Sequence, residues 1–161
     1  MVEIRVLFVC MGNICRSPLA EGVVRCLADR AKIGAFVEVD SAGTLAYHAG
    51  EQPDPRARKV AASRGYDLSK MRARRVAEDD FSLFDLVLAM DRQNLAALER
   101  VCPEEHLHKL RLFMEYAQDC EEDEIPDPYY GGPDGFERVL DLCEAAARGL
   151  IASIAGRKGR C

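Results

Sequence analysis

Residues 6–18 constrain the chain more than any other stretch. Val6-Leu7-Phe8-Val9 is an apolar run of strand length, and it feeds the short polar loop Cys10-Met11-Gly12-Asn13-Ile14-Cys15-Arg16. Ser17-Pro18 then reads as a helix start, with Ser as N-cap and Pro at the first helical position. The loop therefore joins the C-terminal end of a strand to the N-terminus of a helix. Backbone N–H groups in such a loop can gather around an anion, and the helix end favours negative charge.

Chemistry follows from that frame. A free cysteine titrates near ~8.5, and helix N-termini and nearby cations lower this. Cys10 stands where such a field favours the thiolate. Arg16 can hold two phosphate oxygens in a fork, which Lys cannot. Ser17 either caps the helix or turns its hydroxyl toward the Cys10 sulfur. Gly12 and Asn13 both tolerate a left-handed backbone, which a tightly wrapped loop demands. A buried structural cysteine beside an ordinary helix cap is the bland alternative. Strand, loop, spacing and cap together favour the phosphate cradle.

The remaining elements surround this one. The first strand spans residues 4–9, and its unbroken apolar run suits a parallel sheet buried on both faces. A helix is expected from Ser17 to about Arg30. Phe36–Asp40 alternates as a second strand and gives way to the turn-forming Ser41-Ala42-Gly43-Thr44. A loop carrying Tyr47 leads to a helix from Pro55 to about Arg64, ended by Gly65. Residues 66–78 are polar and basic. Phe84–Met90 reads as a third strand, followed by a helix capped by Asp91 that runs to about Arg100. A short fourth strand falls within Leu107–Leu112. Residues 119–127 are acidic, and the last helix runs from Pro133 or Asp134 to about Ala155, with a frayed tail. Alternating strands and helices without repeat or linker imply one domain, residues 1–161, with a parallel sheet and right-handed crossovers. Ligands bind such sheets beyond the carboxyl ends of their strands. Cys10, Ser41 and Met90-Asp91 all lie at such ends.

Charge and cysteine usage exclude other classes. The net charge of −5 argues against a nucleic-acid partner, so an anionic substrate must be held by local cations. No apolar run is long enough to span a membrane and no signal-peptide pattern opens the chain, so no membrane association is expected. The seven cysteines are scattered and odd in number. They suggest no disulfide framework and no metal site, and point to a reducing, cytoplasmic setting.

A thiolate that attacks phosphorus needs a proton donor for the leaving oxygen. Asp127, between Pro126 and Pro128, is the best candidate. The carboxylates of Glu121–Glu124 either influence it or form a solvated face. Tyr47, Tyr129 and Tyr130 are loop aromatics able to wall a slot for a substrate ring.

Five stretches together resemble the low-molecular-weight protein tyrosine phosphatases. They are Val9–Glu21, Asp40–Thr44, Asp54-Pro55-Arg56-Ala57, Met90–Asn94 and Asp127-Pro128-Tyr129, and the match covers nearly the whole chain. The resemblance implies a three-layer α/β/α fold with a central four-stranded parallel sheet, and a two-step, metal-free and cofactor-free mechanism. Cys10 would attack phosphorus, Asp127 would act as acid and then as base, and Arg16 with the loop N–H groups would hold the phosphoryl oxygens. Ser17 would assist the sulfur, Asn13 and Ser41 would brace the loop, and Asp91 would support it. Met11, Gly12, Ile14, Tyr47, Tyr129 and Tyr130 would form the substrate-binding wall and entrance. Cys15 would pair reversibly with Cys10 under oxidation. Phosphotyrosine proteins would be the substrates, and a tyrosine kinase acting on Tyr129 or Tyr130 a further partner.

Family members commonly carry a histidine that supports the phosphate loop. Here the matching stretch is Ser69-Lys70-Met71-Arg72, so loop support is weaker or comes from another residue. The nearest rival on this fold is an arsenate reductase, but its extra cysteines at the end of the third strand are absent from residues 79–90. A non-catalytic phosphate-binding adaptor would have lost the nucleophile or the acid, and both are present.

Overall fold

The computed structural model describes residues 2–129 and 131–158. Four parallel strands form one sheet in the order β2-β1-β3-β4. They are β1 (Ile4–Cys10), β2 (Val37–Gly43), β3 (Leu86–Ala89) and β4 (Leu110–Leu112). Strand β1 lies inside, paired with β2 through Cys10↔Gly43 and with β3 through Val9↔Ala89. Its side chains alternate between two apolar layers, as the two-residue period of a strand requires. Val6, Phe8 and Cys10 face one layer, while Leu7 and Val9 face the other.

Three helices cover the first face: α1 (Arg16–Arg30), α2 (Pro55–Ser63) and α5 (Pro133–Lys158). The apolar stripe of α5, with Phe136, Val139, Leu140, Cys143, Ala147, Leu150 and Ile154 all buried, packs into this layer. Phe8 meets Phe113 edge-on there, with ring centroids 5.0 Å apart. The opposite face is closed by α3 (Asp80–Leu83) and α4 (Arg92–Val101), through Phe81, Phe84 and Leu98. The architecture is the expected three-layer α/β/α sandwich. No helix of the described residues is long and apolar enough to cross a membrane.

Several boundaries differ from the sequence expectation, each for a local reason. Strand β2 continues through Ser41-Ala42-Gly43, because pairing with β1 overrides the turn tendency of these residues. Gly43 is needed there: a Cβ would lie 2.7 Å from the Met11 carbonyl oxygen. Helix α1 starts two residues before the position that a Ser17 cap implies. Cys15 is its N-cap, without a side-chain capping bond, so Ser17 and Pro18 lie inside the first turn rather than at N-cap and first position. The one-turn helix α3 is unanticipated within the segment before β3. Asp54 and Asp91 cap α2 and α4 through N–H bonds from Arg56 and Asn94, both at 2.8 Å. Gly65, at φ 87°, follows α2 in the left-handed conformation that ends helices. Helix α5 runs past Ala155 to Lys158, and residues 159–161 of the expected frayed tail lie outside the described residues.

Helix α5 owes its close approach to one glycine. A Cβ on Gly149 would stand 1.7 Å from the Tyr116 carbonyl oxygen, whereas one on Gly156 would meet nothing within 4 Å. Alanine is favoured over glycine in helix interiors by about 1 kcal/mol. Backbone overpacking costs roughly 1–3 kcal/mol and therefore wins at Gly149. Urea unfolding is expected to show Gly149→Ala destabilised by about 1–3 kcal/mol. Gly156→Ala is expected to be neutral or more stable by up to about 1 kcal/mol.

Candidate active site

The carboxyl end of β1 and the segment that follows β2 open onto a cleft of about 330 Å³, which Ser41, Met90 and Asp91 do not line. Cys10, Met11, Gly12, Ile14, Cys15 and Arg16 form its floor and one side. Tyr47, Asp127 and Tyr129 line the rest, together with Leu45 and His48. Residues more than a hundred positions apart thus share one crevice. Tyr130 lies outside the described residues. Met90 and Asp91 follow β3, and no cysteine stands at that strand's end.

Cys10 sits at the base, 2% exposed. The Asn13 N–H donates to its sulfur at 3.3 Å, and Ser17 Oγ lies 3.0 Å from it. Asn13 decides what that hydroxyl does. Its amide nitrogen donates to Ser17 Oγ at 2.8 Å, which leaves the Ser17 hydrogen free to point at the sulfur. The competing acceptor, the Ala42 carbonyl, is 3.5 Å away. Ser17 therefore takes the second of its two sequence readings.

Asn13 and Ser17 do not line the cleft; both are buried behind it. The Asn13 backbone is left-handed at φ 58°, a conformation that Asn tolerates. Gly12 does not share it, and its small size instead leaves room for His48, whose Cδ2 would lie 3.2 Å from an added Cβ. The Asn13 amide also donates to Ser41 Oγ at 3.0 Å, and its oxygen accepts the Arg74 N–H at 3.0 Å. The Ser41 hydroxyl donates a hydrogen bond to Glu21 at 2.7 Å, and Arg25 closes the chain on Glu21 at 2.6 Å. Burial pushes the Glu21 carboxyl up, against the bonds from Ser41 and Arg25 that favour its charge.

Where the family resemblance leads one to expect a histidine, the chain has Met71. Met71 is partly buried and packs on the apolar layer. The Arg74 backbone supplies the N–H that Asn13 accepts, and the Arg74 guanidinium is anchored to Asp80 at 2.9 Å and to Asp40 at 3.0 Å. Glu21 and Arg74 carried no local sequence signal for this role, because their contacts exist only after folding.

Arg16 is 2% exposed. Its Nη1 donates to Asp91 at 2.6 Å and to the Ile125 carbonyl at 2.9 Å. Burial works against its charge, but Cys10, Asp91 and Asp127 outweigh that and hold it protonated. Asp127 lies 3.8 Å from Arg16 Nη2 and keeps its side chain 42% exposed to the cleft. The Tyr129 N–H donates to the other Asp127 oxygen at 3.0 Å. The neighbouring acidic run is not simply solvated: Glu122 pairs with Arg138, and Asp123 and Glu124 engage Arg92. Burial pushes the Cys15 thiol up, with Asp54, Cys10 and Asp127 adding to the effect. Cys15 is therefore a protonated thiol at neutral pH.

The mouth is aromatic. Tyr47 is 86% exposed and meets His48 edge-on at 4.8 Å, and His48 faces Tyr129 at 6.3 Å. His48 also pairs with Glu51. Leu45 and His48 went unassigned in the sequence, where only their closeness to Tyr47 could have marked them. The floor thus offers a sulfur nucleophile and a guanidinium, one wall offers a carboxyl group, and the rim suits a flat ring.

The family model described as low molecular weight phosphotyrosine protein phosphatase matches residues 5–159. A low molecular weight protein-tyrosine-phosphatase of Streptomyces coelicolor is 48% identical over 153 residues, covering 93% of each chain. The human low molecular weight phosphotyrosine protein phosphatase is 38% identical over 147 residues, covering 91% of this chain and 92% of its own. Among solved structures, a protein tyrosine phosphatase of Entamoeba histolytica with Hepes in its active site superposes with a TM-score of 0.93. It is 42% identical and covers 96% of this chain and 99% of its own. YfkJ of Bacillus subtilis follows at 0.91 and 35% identity, covering 98% of both chains.

Substitutions at Asn13 separate its backbone contribution from its amide. Asn13→Gly loses the three amide bonds but keeps a residue at ease with positive φ. Each such bond is worth about 1 kcal/mol net, and a left-handed Ala costs a further 1–2 kcal/mol, roughly. Urea unfolding is expected to show both variants destabilised, Asn13→Ala by about 1 kcal/mol more than Asn13→Gly.

Proposed function

The chain belongs to the low molecular weight phosphotyrosine protein phosphatase family, and from that premise we propose that it hydrolyses phosphotyrosine in protein substrates through a phosphocysteine on Cys10. The observation that carries the reading is the convergence of the Cys10 sulfur, the Arg16 guanidinium and the Asp127 carboxyl group on one cleft.

In the first step the Cys10 thiolate attacks phosphorus from the floor. The S–P bond forms as the bond from phosphorus to the tyrosyl oxygen breaks. Protonated Asp127 gives its proton to that oxygen, so the substrate's tyrosyl side chain leaves as a neutral phenol and Asp127 becomes a carboxylate. In the second step the Asp127 carboxylate takes a proton from water as the water oxygen attacks phosphorus. The S–P bond breaks, inorganic phosphate leaves and the Cys10 thiolate returns.

Arg16 holds two of the non-bridging oxygens in its fork through both steps. The unpaired amides of the loop and of the first turn of α1 provide the remaining donors. The Ser17 hydroxyl stabilises the sulfur as nucleophile and as leaving group, and its geometry supports that role. Asn13, Ser41 and Asp91 act behind the cleft by keeping the loop and Arg16 in place. Tyr47 and Tyr129 sandwich the substrate ring, with Met11 and Ile14 beside it.

Residues 1–161 acting as one cytoplasmic phosphatase domain, without cofactor, belong to the same proposal. So does a tyrosine kinase that modifies Tyr130 or Tyr129, which lines the cleft. A phosphate on Tyr129 would add a charge of about −1.5 to −2 at the mouth of the cleft. The protection of Cys10 by a disulfide with Cys15 is also part of it, formed when a peroxide takes two electrons and two protons from the thiols and reversed by an external thiol, and supported by both thiols lining the cleft.

Rapid mixing with an aryl phosphate tests the core of the proposal. A burst of the phenol is expected, with phosphate trapped on Cys10, and Cys10→Ser is expected to lose both burst and turnover. Hydrolysis that persists in Cys10→Ser would refute the phosphocysteine. Asp127→Asn is expected to slow phenyl phosphate hydrolysis by about 10²–10⁴-fold, with the inhibition constant for inorganic phosphate shifted only a few-fold.

A further inference from the structure

The phosphate loop and the loop carrying Asp127 come from opposite ends of the chain, and one side chain spans them. Asp54 donates its N–H to the Ile14 carbonyl at 2.8 Å, so the cap of α2 is pinned to the phosphate loop. The Asp54 carboxylate receives the Arg56 guanidinium as a fork, from Nε at 3.0 Å and from Nη2 at 2.9 Å. These bonds hold the Asp54 carboxyl below the usual carboxylate range. The third nitrogen, Nη1, donates to the Tyr129 carbonyl at 3.0 Å. The guanidinium carbon lies 4.7 Å from the Phe136 ring centre and 5.4 Å from that of Tyr129. Tyr129 in turn donates its N–H to Asp127.

We propose that Arg56 is a positioning residue for the general acid: the chain of bonds Ile14–Asp54–Arg56–Tyr129–Asp127 sets the Asp127 carboxyl group against the phosphate loop. This rests on the reading of Asp127 as the acid. Capping α2 does not need Arg56, because the capping bond goes from the Arg56 backbone to Asp54. The guanidinium adds what the cap lacks, a rigid three-nitrogen bridge to the other loop. Lysine has a single ammonium on a flexible stem and cannot hold Asp54 bidentately and Tyr129 together. The stacking on Phe136 ties the bridge to the first turn of α5, so its geometry is fixed from a third side.

A misplaced acid harms poor leaving groups more than good ones, whereas a damaged phosphate loop harms all alike. The test is kcat/KM across aryl phosphates, from dinitrophenyl to phenyl, for the parent, Arg56→Lys, Arg56→Gln and Asp127→Asn. Inhibition by inorganic phosphate is measured alongside as the readout of an intact phosphate loop. Arg56→Lys and Arg56→Gln are expected to lose about tenfold or more on phenyl phosphate, part of the full general-acid effect. They are expected to change less than about twofold on dinitrophenyl phosphate and in phosphate inhibition. In the Asp127→Asn background, Arg56→Lys is expected to add no further leaving-group dependence. A uniform loss across leaving groups, or none, overturns the role of Arg56 when Asp127→Asn itself shows the selective loss. If Asp127→Asn shows no selective loss, the acid assignment fails and the role of Arg56 falls with it.

Discussion

A guanidinium with 2% of its surface exposed is the constraint on which the site depends. Burying an unpaired charge costs several kcal/mol, roughly, even after relaxation. Arg16 can sit beneath the cleft only because Asp91 and the Ile125 carbonyl take its Nη1. Asp91 serves two masters, since its other oxygen caps α4. The end of β3, the start of α4 and the acid loop are thus fixed by one cation. The Ile125 N–H adds a bond to the Met90 carbonyl at 2.8 Å, so the acid loop is stitched to the sheet directly below Arg16. In a chain of net charge −5, attraction of a phosphate must come from this local arrangement.

The parts of this arrangement that were legible in the sequence are those written in contiguous residues. The apolar run into Cys10, the loop to Arg16 and the caps Asp54 and Asp91 follow from local physics. So do the four-strand alternation and the apolar stripe of α5. Asp127 was marked by its flanking prolines, although only the fold brings it within 3.8 Å of Arg16. Ser17 misled because Ser-Pro is a common helix start, while here the hydroxyl is used for the sulfur and Cys15 takes the cap position. The turn residues Ser41-Ala42-Gly43 extend β2, since partners on β1 outweigh their own tendency.

The contacts behind the cleft were not legible, because each depends on residues that meet only in three dimensions. Glu21 reaches Ser41 from α1, and Arg74 reaches Asn13 from the segment before α3. Arg56 stands within the stretch Asp54–Ala57, yet its reach to Tyr129 spans 73 positions. The absence of a histidine at the matching stretch was visible. The bond that Asn13 accepts from the segment after that stretch was not, because a backbone N–H has no signature in sequence. Arg74 supplies that N–H, and its side chain is clamped by Asp40 and Asp80 so that the backbone cannot drift.

The two halves of the chemistry are held in different ways. Cys10 ends a central strand, and its loop is braced by buried hydrogen bonds among Asn13, Ser17, Ser41 and Glu21. Buried, mutually satisfied polar groups of this kind reinforce one another in a low dielectric. Asp127 sits on a loop whose outer side is tied by the exposed pairs Arg92–Asp123 and Arg138–Glu122. Exposed pairs are individually weak and are screened by salt. Rigidity therefore falls off from the nucleophile to the acid. This suits the proposed reaction, in which one fixed sulfur takes the phosphoryl group and then gives it up to water, while Asp127 serves first the departing tyrosyl oxygen and then the arriving water. The tether must restrain the acid without locking it. Arg56 bonds the Tyr129 carbonyl rather than the Asp127 carboxyl group, and the Tyr129 N–H takes only one carboxyl oxygen, so the oxygen nearest Arg16 is left to the proposed proton transfers.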